Sequence, residues 1–316
     1  MKILFYCPTL NYRGTTNAIL NYAYFNQTLL GNTSVLAYDA SASYIQDLGS
    51  EDKVLRDVSS RFPVIAVDGL SGVSAVSDNY DIVYIICSGR LSGEIPRMPR
   101  TAIHAVFGEL EPHGTRYAFV SEWLSQRYSG SLVPFVPHVV ELPEQRISIR
   151  RQLGISDDQV MVGRIGGYST FDLEFVRQAI TEVLTVSNDF VFAFVNTPVF
   201  IKHPNVKYIA PFFSEQLKSD FICSCDMLVH ARLQGESFGL AICESLYHNR
   251  PVVAWAGGKD QAHCELLGPL GLLYYSKDDF KRQLFSLAGK NMELRQNVEK
   301  FSSKSVMAKF KKVFLD

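Results

Sequence analysis

The stretch that decides the fold is His230-Ala231-Arg232-Leu233-Gln234-Gly235-Glu236-Ser237-Phe238-Gly239-Leu240-Ala241-Ile242-Cys243-Glu244-Ser245-Leu246. It leaves an apolar strand, Met227-Leu228-Val229, turns through Gly235 and Gly239, and enters a helix expected to run to about Asn249. A second apolar strand, Pro251-Val252-Val253-Ala254-Trp255, follows at once and ends in Gly257-Gly258. Strand, glycine loop, helix, strand is the repeating unit of a parallel α/β sheet. The loop puts Glu236 at the helix entrance, with Glu244 further along the helix. The backbone N–H groups of Phe238, Gly239 and Leu240 fall where a helix has donors without intrahelical partners, and the helix dipole adds positive potential there. Such an end holds a phosphate, and flanking carboxylates accept hydrogen bonds from sugar hydroxyls. The local chemistry suits a nucleotide sugar.

Outward from this stretch the same grammar repeats. Continuous apolar runs predict strands at 2–7, 34–38, 63–67, 81–87, 101–106, 117–120 and 133–138. Further strands are predicted at 159–165, 189–196, 206–209, 227–230, 251–255 and 271–275. Runs of this kind, rather than alternating ones, belong to parallel sheets covered on both faces. After the first strand comes a loop, 8–14, and an amphipathic helix, 15–30, that Thr15 or Thr16 can cap. Helices are also expected at 143–153 and 171–186 and from 278 to the last residue. Two strand–glycine-loop–helix openings predict two facing Rossmann-like α/β domains, 1–142 and 143–316, with ligand in a deep cleft between their sheets. The C-terminal helix, about 302–316, is able to pack back on the first domain.

Composition narrows the class. A chain of 316 residues with 47% hydrophobic residues has material for two cores. A net charge of −1 and no basic block before the C-terminus argue against nucleic acid as a partner. Lys300, Lys304, Lys309, Lys311 and Lys312 make the last helix basic; a solvated face accounts for them, and peripheral membrane contact stays open. Six cysteines without a C-x-x-C pair read as reduced, buried thiols, and no apolar run reaches the length of a membrane span. The expectation is a soluble cytoplasmic protein. Glu109, Glu111 and His113 fit a polar loop as well as a metal site. No G-x-G-x-x-G follows the first strand, which disfavours a dehydrogenase.

The run from Glu236 through Gly239 to Glu244, followed by Arg250-Pro251-Val252-Val253-Ala254 and Gly257-Gly258, closely resembles the E-x7-E signature of the family-4 retaining glycosyltransferases. The order of motifs matches their two-domain, type-B fold over nearly the whole chain, most strongly at 160–275. The resemblance implies that Glu236 lies near the hydroxyls of the donor sugar. Ser237, Phe238, Gly239 and Leu240 would border the phosphate, with Glu244 accepting from the ribose. Gly14 takes the place of the family's glycine-rich loop, and His104 that of a histidine approaching the transferred sugar. Gly163-Arg164 matches a Gly-Arg pair whose guanidinium holds the departing diphosphate. Pro211 and Phe212 fall in the segment that flanks the base. The family's next lysine is absent; Thr170 and backbone amides stand there, and Lys259 or Arg13 are possible substitutes.

The resemblance implies retention through front-face attack without a catalytic metal or cofactor. The expected partners are a nucleotide-sugar donor, GDP-mannose before UDP-glucose, and a glycan, glycoprotein or lipid acceptor; homodimerisation is left open. A nucleotide-sugar epimerase and a catalytically weak sugar-nucleotide-binding protein are the alternatives.

Overall fold

The structure, a computed structural model, describes residues 1–8, 10–11, 13–40, 51–91, 100–212 and 214–316. Residues 9 and 12 of the expected 8–14 loop lie outside the described residues. The chain forms two compact units, one of Met1–Val139 with Lys300–Asp316 and one of Val140–Glu299.

The first unit runs β1 (Lys2–Cys7), α1 (Gly14–Thr28), β2 (Thr33–Asp39), α2 (Glu51–Ser59), β3 (Val64–Val67), α3 (Gly69–Val76), β4 (Ile82–Cys87), β5 (Thr101–Ala105), β6 (Arg116–Phe119) and α4 (Glu122–Ser129). Its six strands are parallel in the order β3-β2-β1-β4-β5-β6. The second unit runs β7 (Val160–Arg164), α5 (Glu174–Val186), β8 (Phe190–Val195), β9 (Val206–Ile209), α6 (Glu215–Ser224), β10 (Met227–His230), β11 (Gly235–Glu236), α7 (Leu240–Tyr247), β12 (Val252–Trp255), β13 (Asp260–Gln261), α8 (Ala262–Leu267), β14 (Leu273–Tyr274) and α9 (Lys277–Leu287). Its main sheet, also parallel, has the order β14-β12-β10-β7-β8-β9. In each sheet the strand order reverses beside the opening strand, between β1 and β4 and between β7 and β10. Ligands of open α/β sheets bind beyond the strand ends at such a switch point.

The continuous apolar runs became central strands. Every residue of β5 and β8 is buried, as both faces of a covered sheet require. The last helix, α10 (Ser303–Phe310), completes the first unit rather than the second. Phe310 stacks on Tyr22 with ring centroids 5.2 Å apart, and Phe314 lies edge-on to Tyr84 at 5.5 Å. Burying each phenylalanine stabilises the unit by about 1.5–3 kcal/mol.

Three expectations are corrected. Residues 133–138 form no strand; a single bridge joins Phe119 to Phe135, because Pro134 and Pro137 lack the N–H that a ladder needs. Residues 143–153 are not a helix beyond a short turn at Arg151–Leu153. Their amides are taken by α6: Ile147 donates to Asp220 Oδ1 at 2.7 Å and Ile149 to Ser224 Oγ at 2.8 Å. The helical run predicted from 278 onward is interrupted after α9, where Gly289 has φ +72°. No helix among the described residues is long and apolar enough to cross a membrane, and all six cysteines are free.

Candidate functional site

The β10–α7 loop is built on close backbone approach. A Cβ on Gly235 (φ +76°) would lie 2.0 Å from the Asp260 carbonyl oxygen, so only glycine allows β11 to pair with β13. Gly239 (φ +87°) then turns the chain into α7, and no side chain caps that helix. Elsewhere serines do this work: Ser121, Ser214 and Ser276 accept from the N–H groups of Leu124, Leu217 and Asp279 at the starts of α4, α6 and α9. Those helices follow the edge strands β6, β9 and β14. The helices beside the switch points, α1, α5 and α7, start without a side-chain cap, as do α3, α8 and α10.

Glu236 stands at this entrance. His230 Nε2 lies 3.2 Å from its Oε1, and Arg232 Nη1 donates to its Oε2 at 3.2 Å. Burial raises the carboxyl's pKa, but the hydrogen bond from His230 and the charges of His230, Arg232 and His263 outweigh it and hold the group at about 2. The side chain keeps 22% of its surface exposed, so an ionised carboxylate is fixed in place yet reachable. Behind it, the rings of His230 and His263 lie 5.0 Å apart. His263 Nε2 must carry the proton to bond the Trp255 carbonyl at 2.8 Å, which leaves Nδ1 as a bare acceptor. Burial, then His230, pull His263 down to about 4. The Nδ1 atoms of both rings are buried and without a hydrogen-bond partner among the described residues.

Arg164 sits differently from expectation. It is 3% exposed, and Nη1 donates to the carbonyls of Val195 (3.1 Å) and Asn196 (2.9 Å) and to Thr197 Oγ1 (2.8 Å). Its Nη2 donates to the Gly167 carbonyl and Thr170 Oγ1, both at 2.7 Å. Both terminal nitrogens thus tie the loops after β7 and β8 together, and Thr170 is part of that tie. The guanidinium therefore has no free fork of terminal donors. Burial lowers its pKa to about 10, against the attraction of Glu236 and Asp172. Gly163 has a packing role: a Cβ there would lie 2.3 Å from Cys225 Sγ.

Glu244, one turn and more into α7, is 5% exposed, and its Oε1 accepts from Lys218 Nζ of α6 at 2.5 Å. Burial raises its pKa more than Lys218 lowers it. Pro211 and Phe212 are half-buried between β9 and α6. Gly14 opens α1, with nothing within 4 Å of an added Cβ.

His104 lies in the core of the first unit. It is 0% exposed, with Nδ1 2.5 Å from Tyr84 Oη and Nε2 2.9 Å from the Val136 carbonyl. Burial, then His138, lower it to about 3, so it is a neutral, buried residue with both nitrogens engaged. Glu111 Oε2 accepts from the Leu91 amide at 2.8 Å and Glu109 faces Arg90 at 3.4 Å. Among the described residues no three His, Cys, Asp or Glu side chains gather as a metal site.

No family model and no curated protein matches the sequence. Solved structures match it in shape. The chain is similar to Anabaena Alr3699/HepE in complex with UDP-glucose, with TM-score 0.69 and 15% identity over 99% of this chain and 95% of that one. It is similar to a glycosyltransferase from Rickettsia africae, with TM-score 0.66 and 13% identity over 99% and 97% of the two chains. A Listeria monocytogenes chain assigned as a UDP-N-acetylglucosamine 2-epimerase matches with TM-score 0.58 and 12% identity over 100% and 96%. The protein therefore has the type-B glycosyltransferase fold: two Rossmann-like α/β units, each on a six-stranded parallel sheet.

Proposed function

We propose that the protein is a retaining glycosyltransferase that moves a hexose from a nucleoside-diphosphate sugar to a hydroxyl acceptor. The observation that carries this reading is the ionised, reachable Glu236 carboxylate beside the uncapped start of α7. The amides from Phe238 to Leu240 receive the diphosphate, Glu244 accepts from the ribose, and Pro211 and Phe212 flank the base. Glu236 orients the sugar through its hydroxyls. The bond from anomeric carbon to diphosphate oxygen breaks while the acceptor oxygen attacks from the same face, and its proton passes to the departing diphosphate. Glu236 and the charge of Arg164 act on this step by position and field, not as a covalent nucleophile. The HepE structure holds UDP-glucose, which supports trying that donor before GDP-mannose. Acceptors of the glycan, glycoprotein and lipid classes all fit the reading.

Calorimetric titration with UDP-glucose, GDP-mannose and UDP-N-acetylglucosamine tests it. Saturable binding of one donor and its turnover with an acceptor are expected; silence with all three sinks the reading. The Listeria match keeps an epimerase as the second reading. Incubating donor alone separates the two, because only an epimerase converts the sugar without an acceptor.

A further inference from the structure

Lys218 is an unusual residue to find inside a helix–sheet layer. It is 6% exposed and its ammonium has one acceptor among the described residues, Glu244 Oε1 at 2.5 Å. An ammonium carries three donors, so two are left without acceptors among the described residues; Glu244 Oε2 likewise accepts from no described residue. Buried groups of this kind are costly unless something completes them.

The pair is not needed to hold α6 against α7. Ser219 Oγ and His248 Nε2, 2.8 Å apart, already join the two, and Arg250 Nη2 donates to the Cys223 carbonyl at 2.7 Å. An apolar pair would join the helices without stranding donors.

Its location supplies the reason. Lys218 lies one turn into α6, directly after Pro211-Phe212 and the Ser214 cap. Glu244 lies about 6 Å along α7 from the uncapped start at Leu240. Between a base on one side and a phosphate on the other comes the ribose. We propose that Lys218 and Glu244 form one clamp for the vicinal diol of that ribose, the ammonium donating to one hydroxyl and the carboxylate accepting from the other. This rests on the nucleotide-sugar reading above, and makes Lys218 a specificity residue for ribonucleotides.

The probes are UDP and GDP with their 2′-deoxy and 3′-deoxy forms, titrated calorimetrically. The wild type should bind a deoxy form about tenfold more weakly than its parent. Lys218→Met should weaken the parent and narrow that gap to threefold or less. Lys218→Met/Glu244→Gln, which leaves no unpaired buried charge, should narrow it equally and serves if the single variant does not fold. Equal binding of ribo and deoxy forms by the wild type, or an unchanged gap in the variants, overturns the clamp while the donor reading stands. Failure of every nucleotide to bind overturns both.

Discussion

Each unit holds a pair of histidines, and the two pairs differ instructively. His104 and His138 lie 6.0 Å apart in the first unit, His230 and His263 5.0 Å apart in the second. In the first pair both nitrogens of His104 are engaged, and Tyr22 Oη lies 3.2 Å from His138 Nδ1. No carboxylate takes part in these contacts. In the second pair both Nδ1 atoms are buried without partners, and one ring faces the carboxylate of Glu236. Leaving a buried acceptor unpaired costs roughly 1–3 kcal/mol. A cost of that size, kept beside an ionised and reachable carboxylate, agrees with the proposal that a donor binds there; the satisfied pair agrees with a packing role.

The comparison can be broken in three ways. Glu236→Ala should lower transfer by roughly 10²–10³-fold with the fold intact by circular dichroism, as loss of a fixed electrostatic group does. Normal turnover in that variant would remove the second pair's claim to function. His104→Ala should act on the other axis, destabilising the first unit by about 3 kcal/mol in urea titration because it empties core volume and strands Tyr84 Oη and the Val136 carbonyl. Activity per folded molecule should be retained, and its loss would put His104 back in the site. The smallest effect is in the pH dependence. Glu236 falls from 4.5 unfolded to about 2 folded, so its contribution to stability is present above pH 4.5 and lost as pH falls through 2. Glu236→Gln should flatten the stability curve between those values; an unaltered curve would show that the contacts from His230 and Arg232 do not stabilise the ionised form.

Most of the architecture could be read from the sequence, because continuous apolar runs in a covered parallel sheet leave little alternative. The strand at 206–209 and the strand at 227–230 stand where the pattern put them. What failed were segments whose backbone is governed from elsewhere, such as 143–153, whose amides are held by α6. The site divides in the same way. Glu236, Gly239 and Glu244 share one local stretch, so their spacing carries a message. Lys218 reaches Glu244 across 26 residues, and His263 reaches His230 from α8, so neither stood out in advance. The burial of His104 did not stand out in advance either, because one ring packed on it, Phe314 at 5.2 Å, comes from the other end of the chain.

That dependence has a consequence for biosynthesis. The second unit is one unbroken segment, 140–299, whereas the first unit includes residues 300–316 in its core. As the chain emerges from the ribosome, everything the second unit needs is available before Phe310 and Phe314 exist to seal the first. The half made first is thus the half finished last. The rings that pack on Tyr22 of α1 and Tyr84 of β4 arrive only with the closing helix.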